Sequence, residues 1–420
     1  MTGIEIYNLS VCGLVKSMGA RKIRTLSIFS AFLVSCALLL LVFHPRDDYR
    51  IYVQFADAVS QGYNPYSLPS GFESSAVEKL VSLDDSGSPS RKVDQTLADY
   101  PPLLMSINGL IFQVDEIKGL YYFYLVLFFL SIVTFVLFHK DDINPEELNK
   151  FIFVAFLIFN PLLLRSWFAP IEDKVWFLFF MIMMMVCKER KLVLTSVLAV
   201  FAALKGLGGV VFPFYIVHLV VEKKINVKEM VVMILPFLLI LAISHVKFFP
   251  EWLNGYKWRS QTQEYVGHLS IFSFFPHVFD DYSLVLSKIL SFLSLLTVGV
   301  LIIKRKLLLK EILLAPVVCT IIFNTDLTMN RIFIAVVALQ LIIFKKSVIF
   351  YSFMCCWLLF FLDERIVMRI SEVFHVVQVC QLNRDYVELI YKLVLWAMTF
   401  YLLFSAVKPI ILRSRGTLSA

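Results

Sequence analysis

Apolar runs recur from residue 26 to residue 407, with only short polar breaks between them. A hydrocarbon layer about 30 Å thick is crossed by about 20 helical residues, fewer where flanking side chains reach back to the interface. Runs this frequent leave no stretch long enough for a sizeable soluble domain. The chain is 59% hydrophobic and 17% charged, against about 25% charged for an ordinary soluble protein. Forty Phe against fifteen Gly also exclude a disordered or fibrous chain. The sequence therefore predicts an all-α integral membrane protein, a polytopic helical bundle built as one domain over 1–420.

Charge sets the expected threading. The net charge of +7 is a weak argument for nucleic acid, because most of it sits in short loops between apolar runs, where membrane orientation requires it. The basic clusters are Lys188, Arg190 and Lys191; Lys223 and Lys224; Lys304 to Lys306; Lys345 and Lys346; and the tail Lys408, Arg413 and Arg415. All are expected to be cytoplasmic. About twelve spans follow, at 26–43, 119–138, 151–168, 174–187, 192–204, 207–221, 229–246, 283–303, 311–323, 332–344, 347–362 and 387–407. The first follows Lys16, Arg21, Lys22 and Arg24 and precedes no small-residue cleavage site, so it reads as an uncleaved span. Both termini are then cytoplasmic, and a bacterial inner membrane is the expected location.

Three external segments have real length: 44–118, 247–282 and 363–386. The first carries eleven acidic and six basic residues and is expected to hold interfacial helices. The apolar segment 101–114, opened by Pro101 and Pro102, is short for a span and reads as re-entrant or interfacial. Residues 192–221 read as a helical hairpin with Lys205, Gly206, Gly208 and Gly209 at its turn. The seven Cys lie mostly in apolar runs, with no CxxC pair and no Cys/His metal spacing, so they read as small packing residues. No phosphate-binding loop, GxSxG, HExxH or dinucleotide fingerprint occurs.

Chemistry concentrates at the exit of the first run. Asp47 and Asp48 precede Tyr52 and Ala56, and Asp48, Tyr52 and Ala56 share one helical face. Ile51, Phe55, Ala58 and Val59 form a neighbouring apolar stripe expected to lie on the membrane surface. Gly62 and Pro65 end the helix, just before Tyr66. A carboxylate at the rim of a low-dielectric region suits a general base; the plainer reading of Asp47 and Asp48 is a polar stop after a span. Tyr100 opens the Pro101–Pro102 segment. Asn160-Pro161 precedes Glu172 and Asp173, two more carboxylates between apolar runs. Lys205 is a candidate anion ligand, or else a lysine reaching to the interface. Arg259 and His268 follow an aromatic segment with Trp252, Tyr256 and Trp258, suited to sugar stacking, phosphate contact or proton transfer, or to a plain interface belt. Arg331, after Asn324-Thr325-Asp326, is a further candidate phosphate ligand.

In order along the chain, Asp-x3-Tyr-x3-Ala (Asp48, Tyr52, Ala56), Gly-x2-Pro-Tyr (Gly62, Pro65, Tyr66) and Tyr-Pro-Pro-Leu (Tyr100 to Leu103) resemble the GT-C class of membrane glycosyltransferases. They are most similar to the polyprenyl-phosphate-mannose-dependent mannosyltransferases and to GPI mannosyltransferase I. Asn160-Pro161 and Leu204-Lys205-Gly206 resemble later elements of that class. The resemblance covers roughly the first half of the chain. Where many relatives carry a Gly-Gln-x-Asp-like element, this chain has Pro170-Ile171-Glu172-Asp173.

The resemblance implies a mannosyltransferase-like hexosyl transfer on the non-cytoplasmic face, from a polyprenyl-phosphate sugar donor to a glycan or glycolipid acceptor. Asp48, with Asp47 beside it, would be the base. Tyr52, Tyr66, Tyr100, Glu172, Asp173, Lys205, Arg259, His268 and Arg331 would bind substrate. No cofactor and no nucleic acid are implied; the sequence leaves room for a divalent cation without requiring one. The other readings are an O-antigen-type polysaccharide polymerase and a lipid-linked sugar flippase or other transporter.

Overall fold

A computed structural model describes residues 47–69, 72–82, 98, 100–138, 144–160, 175–255, 257, 269–274, 280–325, 329–362 and 384–414. Among them the regular structure is helical, with no strand. The α-helices are α1 (Asp47–Ser60), α2 (Ser75–Ser82), α3 (Pro102–Phe112), α4 (Gly119–Phe138), α5 (Asn144–Ile158), α6 (Val175–Cys187) and α7 (Lys191–Lys205). They continue as α8 (Leu207–Val221), α9 (Val227–Val246), α10 (Asp280–Ile303), α11 (Leu309–Ile322), α12 (Met329–Ile343), α13 (Lys346–Phe361) and α14 (Arg384–Ser414). Four of these, α4, α9, α10 and α14, are long and apolar enough to cross a membrane. The expected first run at 26–43 lies outside the described residues.

Local chemistry explains the ends. Pro102 opens α3 in its first turn, where the missing N–H costs nothing. Asn226 caps α9: its side chain accepts from the Glu229 N–H at 2.9 Å, and Glu229 accepts from the Asn226 N–H at 3.0 Å. Gly206 separates α7 from α8 with φ of 72°, a left-handed conformation that glycine adopts without penalty.

Four expectations need correction. The turn between α7 and α8 is Gly206 alone; Lys205 is the last residue of α7, and Gly208 and Gly209 are inside α8. Gly208 is there for packing, since a Cβ on it would lie 2.2 Å from the Leu198 carbonyl oxygen. The stripe on α1 is not surface-seated: Phe55 and Ala58 are fully buried and Val59 packs against Gly109 of α3. Small residues on α1 and a glycine on α3 let these two helices close on one another. Helix α5 starts at Asn144, ahead of the apolar run expected from 151, because Pro145, Glu146 and Glu147 make a favourable first turn. Helices α10 and α14 likewise begin at Asp280 and Arg384, inside segments expected to be loop.

Polar contacts sort the helix ends into two faces of the molecule. The Lys191 ammonium donates to the Lys224 carbonyl, and the Arg305 guanidinium donates to the Val221 carbonyl at 2.6 Å. The Lys306 ammonium donates to the Arg413 carbonyl at 3.2 Å. At that same end Arg413 forms a two-pronged ion pair with the buried Glu311, one arm 2.6 Å long. Basic loops far apart in sequence thus gather at one end. The opposite end holds Tyr100, the α7–α8 turn, the start of α6 and the α11–α12 connection. There the Ser270 hydroxyl donates to the Asn324 carbonyl at 3.4 Å and the Trp396 indole N–H to the Leu269 carbonyl at 3.2 Å.

The core runs through α3, α4, α6, α7 and α12. Stacked or tilted rings fill it: Phe180 on Phe201 at 4.7 Å, Phe212 on Phe237 at 3.9 Å, and Phe135 on Phe153 at 4.9 Å. By contrast, only 11% of the apolar stretch of α9 and 17% of that of α10 is buried. Exposed apolar faces of this size are unstable in water and stable against lipid tails.

Candidate functional site

The end opposite the basic loops gathers residues from five helices. Tyr52, on α1, is buried and sets its ring 4.9 Å from the Tyr100 ring, at an interplanar angle of 37°. Its other neighbour is Tyr124 on α4, with centroids 6.5 Å apart and the rings edge to face. Tyr100 sits just ahead of α3, held by two devices. Pro101 and Pro102 stiffen the chain after it, and the Tyr66 hydroxyl donates to its carbonyl oxygen. Tyr66 is itself fixed: its N–H donates to the Asn64 side chain at 3.0 Å, and the Ala98 N–H donates to the Pro65 carbonyl at 2.9 Å.

Lys205 closes the cluster. As the last residue of α7 it brings its ammonium 5.6 Å from the Tyr100 ring centroid and 5.6 Å from that of Phe177, on the first turn of α6. A cation between two aromatic faces is attracted to both, by about 0.5–1 kcal/mol each at exposed sites and more when desolvated. A side chain held this way at a helix end is presented as a fixed positive charge.

A polar strand runs behind the rings. The Tyr124 hydroxyl donates to Asn108 Oδ1 on α3 at 2.9 Å, and both residues are fully buried. The Asn108 amide nitrogen has no hydrogen-bond acceptor. Tyr49, in the first turn of α1, donates its hydroxyl to the Ile117 carbonyl at 2.6 Å and accepts from the Tyr121 N–H at 3.3 Å. Burial pushes the Tyr49 phenol up from its ordinary value, and the hydroxyl pins α1 to the turn between α3 and α4. Further along α1 the buried Asp57 accepts from the Ser74 hydroxyl at 2.6 Å and from the Gln61 amide at 2.8 Å. That carboxylate ties α1 to α2.

Of the residues expected from sequence, Tyr52, Tyr66, Tyr100 and Lys205 come together here. Asp47 and Asp48 open α1, one turn ahead of Tyr52; their side chains lie outside the described residues, as do Glu172, Asp173, Arg259 and His268. Arg331 is at the same end of the bundle, half-buried on the first turn of α12. Asn160, just past the end of α5, is fully buried.

Sequence reasoning missed Asn108, Tyr124 and Phe177. Asn108 and Ser106 are the only polar side chains of Pro102–Phe112, a signal that was legible. Tyr124 follows Tyr121 and Tyr122, a pattern that reads equally as an interface belt. Among the described residues no group of three His, Cys, Asp or Glu gathers as metal ligands would. No protein-family model matches the chain, and no curated protein matches it.

Proposed function

We propose that the chain is a multi-pass membrane glycosyltransferase, moving a hexose from a polyprenyl-phosphate donor to a glycan or glycolipid acceptor. The observation that carries this reading is the meeting of Tyr52, Tyr66, Tyr100 and Lys205, drawn from four separate sequence motifs, at the end opposite the basic loops. In this reading about twelve spans place that end on the non-cytoplasmic face of a bacterial inner membrane. The segment 44–118 and its interfacial helices cover it, and both termini lie in the cytoplasm.

The chemistry balances without a nucleotide. The Asp48 carboxylate takes the proton of the acceptor hydroxyl as its oxygen attacks the anomeric carbon. The bond from that carbon to the phosphate oxygen breaks, and polyprenyl phosphate leaves. The configuration at the carbon inverts. Lys205, fixed between Tyr100 and Phe177, meets the charge growing on the leaving phosphate. Preorganised charge of this kind is worth about 10²–10³ in rate. Tyr100, half-buried, offers a ring face to the sugar, with the buried Tyr52 backing it, and Glu172, Asp173, Arg259, His268 and Arg331 are the further substrate contacts. The apolar body holds the polyprenyl tail.

The test is transfer of label from a panel of radiolabelled polyprenyl-phosphate sugars to a membrane glycolipid extract, comparing wild type with Asp48→Asn. Label moving in wild type and not in the variant, with donor binding kept, is the expected result. Transfer from lipid-diphosphate oligosaccharides alone would replace this reading with a polymerase. Sugar-lipid translocation across vesicles without transfer would replace it with a transporter.

A further inference from the structure

Helix α8 presents one exposed apolar face, and its neighbours define where that face points. Phe212 stacks on Phe237 of α9 at 3.9 Å, and Phe214 packs beside Gly299 of α10 at 3.6 Å from where its Cβ would be. Pro213, Val217 and Val220 are exposed and fall, at 100° per residue, on the arc between Phe212 and Phe214. Helix α8 is therefore the floor of a groove whose walls are α9 and α10, the two apolar helices with the least burial.

All three helices end at the basic face. Helices α8 and α10 finish in the same turn: the Lys224 N–H donates to the Leu219 carbonyl at 2.8 Å, and the Lys306 N–H to the Leu301 carbonyl at 2.9 Å. The left-handed residue of that turn is ordinarily glycine. Here it is Lys223, with φ of 53°, and Arg305, with φ of 55°. Both side chains are exposed. Arg305 reaches across the groove foot to the Val221 carbonyl at 2.6 Å and lies 3.8 Å from Glu222. The apolar groove thus ends on Lys223, Lys224 and Arg305, with the Glu222 carboxylate beside Arg305.

We infer that this groove binds one anionic glycerophospholipid, its acyl chains along α8 and its phosphate on Lys223, Lys224 and Arg305. Apolar walls alone would take any lipid; the cations at the foot select a net negative headgroup. The basic loops also satisfy orientation, but orientation needs charge on one side of the membrane, not three cations converging from two helix ends onto one groove. The site is at the opposite end from the Tyr52–Lys205 cluster and stands whatever reaction that cluster performs.

Native mass spectrometry of the full chain, titrated with phosphatidylglycerol or phosphatidylcholine of identical acyl chains, tests this. Wild type is expected to show a discrete first phosphatidylglycerol adduct, and the variant Lys223→Ala, Lys224→Ala, Arg305→Ala to lose about a hundredfold in its affinity. Lys188→Ala, Lys345→Ala, Lys346→Ala removes equal charge from the same end and is expected to keep the adduct. Val217→Trp fills the groove floor without changing charge and is expected to weaken it, which keeps the test open if the triple variant misfolds. Equal binding of both lipids, equal loss in the control variant, or displacement of phosphatidylglycerol by an equimolar polyprenyl phosphate would each overturn the assignment.

Discussion

The Lys205 ammonium lies 5.6 Å from the centre of the Tyr100 ring, joining the end of α7 to the start of α3 across the top of the bundle. The contact fixes a positive charge beside the tyrosine that Tyr52 faces from α1. Removing the charge while keeping the length is the informative change. Lys205→Met is expected to cost about 10²–10³ in transfer rate, with Lys205→Arg recovering part of it. Thermal unfolding in detergent should move little for either variant. A Lys205→Met variant with unchanged turnover would remove Lys205 from the proposed reaction.

Two glycines of α8 should answer differently to alanine. A Cβ on Gly208 would lie 2.2 Å from the Leu198 carbonyl oxygen and 2.4 Å from the Ala202 nitrogen. These are backbone atoms of α7 and cannot rotate away. Gly208→Ala is expected to destabilise by about 1–3 kcal/mol by prising the hairpin apart. On Gly209 the nearest atom is the Ala202 Cβ at 3.8 Å, ordinary contact, so Gly209→Ala should be neutral or stabilise by up to about 1 kcal/mol through helix propensity. Unfolding midpoints of the two variants in one detergent decide it.

The Glu311–Arg413 pair is the tether of α14 at the basic end. Arg413 also donates its Nε–H to the Lys306 carbonyl at 3.2 Å, and the Leu308 N–H donates to Glu311 at 2.8 Å. Breaking one side leaves a buried charge alone, which costs about 3–5 kcal/mol. Arg413→Met is expected to show that loss, and Glu311→Met with Arg413→Met a smaller one. A double variant no better than the single one would mean that the backbone bonds, and not the ion pair, hold α14.

Tyr66→Phe removes the donor to the Tyr100 carbonyl and keeps the ring. A stability change of about 1 kcal/mol is expected. In the proposed reaction, the looser placement of Tyr100 should show as a larger loss in kcat/KM than in stability. Parallel melting and transfer assays separate the two effects.

Much of this molecule was legible in its sequence, and the reasons are specific. The apolar runs 119–138 and 207–221 coincide with Gly119–Phe138 and Leu207–Val221, because charge or glycine bounds them sharply. The approach of Tyr52, Tyr66, Tyr100 and Lys205 was legible only as an ordered set of short motifs. What hid was helix without apolarity and polarity without charge. Hydropathy cannot see the first turns of α5 or α10, which are helical without being apolar. Tyr124 donates to Asn108 inside the core, and such a pair leaves only two unremarkable letters in an apolar stretch. The burial of α1 was hidden too, since its apolar stripe fits a lipid surface and a protein partner equally well until Gly109 is placed against Val59.

The brevity of the central helices has a consequence for depth. Helix α6 has 13 residues and α7 and α8 have 15 each, rises of about 20–22 Å, against a hydrocarbon layer of about 30 Å. In the proposed threading their basic ends are anchored by charge at one water boundary, so the shortfall of about 8–10 Å would fall at the Lys205 end. Either the bilayer thins there or water descends to meet the protein. In both cases Tyr100 and Lys205 sit at the bottom of a dimple rather than on a plateau. A lipid-borne phosphate would be drawn below the level of its neighbours to reach them, and a water-borne acceptor would have to come down to it.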